Sequence, residues 1–151
     1  MREIKNEQDI EDIMCACAGF HDSCIVSVSY SSGAFVDENN GMGNGDLLEH
    51  SLTLILHSQW CSPIKLLFRG VRKFSVIGWE GNYFCDIFCA YLAFHSDLLG
   101  KCRDDRLIVW SDNEGFDPSS HTEDRVLTSH GSTYIIAEKL FWEIDGEAAE
   151  K

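Results

Sequence analysis

The sequence predicts a mainly β (α+β) fold: an antiparallel meander forming a sandwich or partial barrel, with one N-terminal helix packed against it. Three observations carry this expectation. Ile10, Ile13, Met14 and Cys17 recur at helical spacing near the start of the chain. Beyond Gly19 the apolar residues alternate with polar ones at a period of two, the signature of half-buried strands. Between the alternating stretches lie clusters of glycine and asparagine, of which Asn39-Asn40-Gly41-Met42-Gly43-Asn44-Gly45 reads as a mobile connection.

Taken in order, residues 7–18 form the helix. Asn6 is placed to cap it, and Glu7 and Asp9 put negative charge in the first turn, where the helix dipole favours it. Gly19 supplies the stop. A β domain then runs over about residues 20–145. Cys24, Val26, Val28 and Tyr30 define its first strand, and Leu52, Leu54 and Leu56 define another. Pro63 to Trp79 holds one long bent strand or two short ones, punctuated by Gly70 and Gly78. The stretch Tyr83 to Phe94 has spacing that fits either period. The hairpin-type dipeptide Gly81-Asn82 and the neighbouring strands favour a strand there. Leu107 to Trp110 and Thr133 to Glu143 complete the set, followed by a short acidic tail. The 151 residues contain no repeat and no linker, which implies a single domain over 1–151.

Charge narrows the partners. Lys and Arg number 12 against 25 Asp and Glu, a formal net charge of −13. Such a field repels phosphate backbones and anionic membranes, so neither nucleic acid nor a membrane is expected as a partner. A basic protein is favoured; the oligomeric state is not specified. Met1-Arg2-Glu3-Ile4-Lys5 enters charged residues with no apolar run behind it, which predicts no signal peptide and a cytoplasmic location. The seven cysteines (15, 17, 24, 61, 85, 89 and 102) are odd in number and mostly set in apolar stretches, as expected of reduced thiols acting as small hydrophobes.

No motif specifies an activity. Cys15-x-Cys17 and Cys85-x-x-x-Cys89 lack paired zinc-knuckle spacing, and the histidines are scattered, so neither a metal nor another cofactor is expected. Asp37-x-Asn39-x-Gly41 begins like a calcium loop but has Met42 where glycine is required and Leu48 where glutamate is required. His21 and Asp22 could act as an acid/base pair with Ser23 as nucleophile. The structural alternative is that Asp22 or Ser23 caps a turn while Phe20 enters the core. Asp86 and Glu138 fall on apolar strand faces, Asp86 with Phe84 and Phe88, and Glu138 with Tyr134, Ile136, Leu140 and Trp142. Each is a candidate acid/base carboxylate, or else reaches an edge or pairs with Arg69, Arg72 or Lys73.

The segment Gly19-Phe20-His21-Asp22-Ser23-Cys24-Ile25, with Ile108-Val109-Trp110-Ser111-Asp112 and Tyr134-Ile135-Ile136-Ala137-Glu138-Lys139, resembles a class of small uncharacterised bacterial proteins. That class is similar in size, acidity and lack of catalytic motifs to immunity proteins of polymorphic toxin systems. The resemblance implies a bacterial source and a protein-binding role, and it carries over no functional residue. The leading expectation is a non-enzymatic module that presents an acidic surface to a basic partner. Asp37, Glu38, Asp112 and Glu114 lie in expected exposed loops, and Trp60, Trp79 and Trp110 near strand ends, where aromatics can anchor an interface. The alternatives are a small hydrolase using His21 and Asp22 with a second carboxylate, or a β-barrel binding a small ligand.

Overall fold

The N-terminal helix begins where its cap requires. In the computed structural model, which describes residues 1–78, 85–98, 106–119 and 131–146, helix α1 spans Glu7–Ala16. The Asn6 side chain accepts the Asp9 amide at 3.1 Å, and the Asp9 carboxylate accepts the amides of Asn6 and Lys5 at 3.1 and 2.8 Å. Ile13 and Cys17 are fully buried, with Ile10 and Met14 packed partly buried against the same core. The helix ends sooner than expected, and the chain passes into a 3-10 turn at Ala18–Phe20.

Seven strands form one antiparallel sheet: β1 (Arg2–Ile4), β2 (Ser23–Ser31), β5 (Ser51–Ser58), β6 (Ile64–Ser75), β7 (Tyr91–His95), β8 (Leu107–Ser111) and β9 (Tyr134–Ile144). The order across it is β2-β5-β6-β9-β8-β7, and β1 lies beside the C-terminal half of β9. The sheet is open, yet it curls. Ile87, four residues before the edge strand β7, bridges Ser23 at the start of the opposite edge strand β2. The result is a partial barrel. Its concave side is filled by Leu52, Leu54 and Leu56 of β5, Ile64, Leu66 and Phe68 of β6, and the edge-to-face pair Phe20 and Trp110, all fully buried. A second apolar cluster of Leu107, Val109, Phe116, Tyr134 and Ile136 covers the other face at β8 and β9.

Several expectations need correction. β1 was invisible in sequence because Arg2, Glu3 and Lys5 give it no apolar alternation. It is held by pairing with β9, by Arg2 lying over the Trp142 ring and by Lys139 reaching Glu3 at 3.1 Å. The glycine-rich stretch read as a loop contains β4 (Met42–Asn44), which pairs with β3 (Ala34–Val36) in a separate hairpin. Asp37 turns that hairpin, accepting the amides of Asn39 and Gly41. The strand expected over Tyr83 to Phe94 is present only as β7. Residues 85–90 are irregular, and Gly81, Asn82, Tyr83 and Phe84 lie outside the described residues, as does Trp79.

The face assigned to Glu138 is also corrected. Leu140, Trp142 and Ile144 enter the main core, but upstream it is Ile135 and Ala137 that do so, while Tyr134 and Ile136 turn to the other cluster. The switch falls opposite Gly70, whose φ of +65° bends β6, and next to a register shift between Val71 and Lys73. A β-carbon on Gly70 would stand 2.7 Å from Cβ of Glu138, so only glycine admits this approach. Bulges re-aim side chains in this way. Glu138 thereby leaves the apolar face and accepts Arg72 Nε at 2.9 Å, one of the cationic partners anticipated for it.

Among the described residues no helix is long and apolar enough to cross a membrane. The six described cysteines carry free thiols; only Cys17 is buried, and Cys15 and Cys85 are exposed, so the hydrophobe reading holds for fewer of them than expected.

Candidate functional site

Among the described residues, positive φ angles are concentrated in the turn between α1 and β2. Ala18, Gly19, Phe20 and Asp22 all have positive φ, at 49°, 64°, 62° and 51°. Each non-glycine residue held there costs about 1–2 kcal/mol. Burial of Phe20 against Trp110 offsets part of this cost. So do the hydrogen bonds from the Asp22 amide to the Ile87 carbonyl at 3.0 Å and from the Gln59 amide to the Asp22 carbonyl at 3.2 Å. The turn therefore projects the His21 and Asp22 side chains at fixed positions.

Those two side chains form an ion-pair geometry, His21 Nδ1 to Asp22 Oδ2 at 2.9 Å. The indole Nε1–H of Trp60, in the turn joining β5 to β6, donates to the same oxygen at 3.2 Å. The Phe88 ring lies against the His21 imidazole, centroid to centroid 5.1 Å. Trp60, Asp22, His21 and Phe88 thus make one continuous surface row. Trp60 is 65% exposed and Phe88 73%, which sets them apart from aromatics such as Phe20 and Trp110 that the core absorbs. Asp86 is exposed two residues before Phe88, and Glu114 sits close to Cys89.

As a catalytic centre the row has no activated nucleophile among the described residues considered for it, Ser23, Cys85 and Cys89. Ser23 is 2% exposed, and its hydroxyl faces the His21 carbonyl. The Cys85 thiol is pushed up from its ordinary pKa by desolvation, with Cys24 and Asp86 adding to the shift. Cys89 is raised by burial and by Glu114. Both thiols are therefore protonated at neutral pH and poor nucleophiles. Glu138 lies beside Gly70, near the Ser51 end of β5, whereas His21 and Asp22 adjoin the Ser58 end. A strand of that length separates them by roughly 20 Å. Asp86 is the only one of the two sequence-nominated carboxylates near the dyad. Among the described residues no group of three or more His, Cys, Asp and Glu side chains could hold a metal ion. An open groove lined by Phe35, Val36 and Met42 belongs to the β3–β4 hairpin, which follows the far end of β2.

The expected binding residues are divided by the structure. Trp60 is exposed and so open to a partner. Trp110 is not: it is fully buried, so its ring offers a partner nothing. Trp79 lies outside the described residues. Glu38 and Glu114 are exposed, and so is Asp37, although its carboxylate is spent on the hairpin turn. Asp112 is not an exposed loop acid. It is half-buried and accepts the Thr133 amide at 3.0 Å. Phe88 was missed, because the largely apolar stretch Cys85–Ala90 hides any signal that its one aromatic faces outward. No protein-family model, curated protein or solved structure matches the chain.

Proposed function

We propose that the protein is a non-enzymatic cytoplasmic binding module that presents an acidic, aromatic surface to a basic protein, in the manner of an immunity protein docking its toxin. The observation that carries this reading is the pair Trp60 and Phe88, exposed to 65% and 73% on either side of a braced His21–Asp22 unit. Large aromatics left outside a filled core, while strained backbone holds the residues between them, fit an interface anchor. The net charge of −13 supports a partner of opposite sign. The packed concave side speaks against the ligand-carrying barrel.

The test is capture of a partner from lysate of the native organism by wild type and by Trp60→Ala/Phe88→Ala, followed by association kinetics with the purified partner. Capture should fail with the variant at unchanged melting temperature. The on-rate should fall as salt shortens the screening length from about 30 Å to about 8 Å, with little change in the off-rate. Equal capture by the variant, or an on-rate indifferent to salt, overturns the reading. The 2.9 Å His21–Asp22 contact favours one rival, a small hydrolase using that pair with Asp86. A stably folded His21→Ala variant that loses a hydrolytic activity, with partner binding intact, would establish that rival instead.

A further inference from the structure

The Trp60–Asp22–His21–Phe88 row holds an unused carboxylate oxygen in a defined place. Both nitrogens that reach Asp22, His21 Nδ1 and Trp60 Nε1, share its Oδ2. Oδ1 has no hydrogen-bond partner among the described residues. The carboxylate cannot swing away to solvent without breaking both contacts, and the backbone beneath it is pinned at Ile87 and Gln59. On one side stands the exposed indole of Trp60; on the other, beyond the imidazole, stands the exposed ring of Phe88.

We infer that this row is a receptor for a guanidinium group, and that the basic partner docks by laying an arginine side chain across it. The inference rests on the binding-module reading above. An arginine head is planar, carries its charge at any physiological pH, is weakly hydrated, and stacks on aromatic faces while its N–H groups bond a carboxylate. Asp22 Oδ1 accepts the hydrogen bond, and the indole and phenyl faces take the flat sides of the head and its alkyl stem. Asp86 and Glu114 add negative potential nearby. A lysine ammonium meets the same charge but has no plane to stack and a tighter hydration shell, so it binds less well. An anionic or purely apolar segment gains nothing from the oriented carboxylate.

The probe is the capped pentapeptide Gly-Gly-Arg-Gly-Gly, titrated into the full 15N-labelled chain and followed by two-dimensional NMR. Its counterparts carry lysine, or citrulline, which keeps the shape of arginine without the charge. The arginine peptide should shift the Trp60 indole resonance and the amides of His21, Asp22 and Phe88 along one saturable curve. The citrulline peptide should bind at least tenfold more weakly, and the lysine peptide several-fold more weakly. Asp22→Asn should reduce arginine affinity about tenfold while the rest of the spectrum stays in place, because asparagine tolerates the positive φ at this position. Trp60→Phe, which keeps a ring but loses the brace on Oδ2, should give an intermediate loss. Equal binding of the citrulline or lysine peptide, an unaltered Asp22→Asn affinity, or shifts spread over the acidic surface that spare this row would each sink the assignment. Partner capture that depends on Trp60 and Phe88, with no arginine-peptide response at the row, overturns the guanidinium receptor and leaves the binding module standing. A saturable arginine response in a chain whose partner capture ignores Trp60 and Phe88 upholds the receptor and overturns the module.

Discussion

At the scale of single residues, polar groups that fail to reach solvent set the most informative tests. The Asp112 carboxyl is pushed up from its ordinary pKa by burial, against the opposing pull of its hydrogen bonds from Thr133. The folded state therefore holds a proton on Asp112 more tightly than the unfolded chain does. Below the ordinary carboxylate pKa the group is protonated in both states and costs nothing. As pH rises toward the folded pKa the unfolded state ionises first, so stability falls and stays lower. Asp112→Asn keeps an oxygen for the Thr133 amide and cannot ionise. Urea denaturation should find it more stable than wild type at pH 7, with the advantage gone below about pH 3. Trp110 makes a second test. Its Nε1 is buried without a hydrogen-bond partner among the described residues, a defect worth about 1–3 kcal/mol in its own right. Trp110→Phe removes that donor along with ring volume and should cost about 1–2 kcal/mol, whereas Trp110→Ala should cost about 3–5 kcal/mol.

At the scale of elements, the bend in β6 and the cap of α1 are the joints to break. Gly70→Ala must place a β-carbon against Cγ and 2.7 Å from Cβ of Glu138 while keeping a positive φ. The expected loss is about 2–4 kcal/mol by urea denaturation. Adding Glu138→Gly should recover the steric part and leave the backbone part. Helix α1 was legible because its signals are local: Asn6 and Asp9 cap the first turn together, and Ile13 and Cys17 repeat at helical spacing whatever they later pack against. Asn6→Ala should lower stability by about 1 kcal/mol. The irregular run before β7 was not legible. The aromatics from Tyr83 to Phe94 fit two periods in sequence, and what settled Ile87 was a backbone bridge to Ser23, far away in sequence.

For the whole molecule, charge is the dominant field. With 25 acids against 12 bases, self-repulsion opposes the folded state at low ionic strength. Raising salt from about 0.01 M to about 0.15 M should raise the melting temperature by about 2–4 °C, the shift that about 1 kcal/mol produces in a chain of this size. A melting temperature that falls over the same range would mean that surface ion pairs such as Lys139–Glu3 outweigh the net repulsion.

What the sequence determined by itself was whatever depends on neighbours along the chain: the antiparallel β class, the capped helix, the strands with strict alternation and the sign of the charge. What only the tertiary structure decided was which residues meet. Trp60, Asp22, His21 and Phe88 come from three separate segments, and Phe88 faces outward because Ile87 beside it is claimed by β2. Trp110 went the other way, into the core against Phe20, although sequence placed it beside Trp60 as an anchor. The physical reason is that period and propensity act over a few residues. Exposure of a single aromatic is set by the competition of the whole chain for one interior, and that competition is resolved only when the sheet curls.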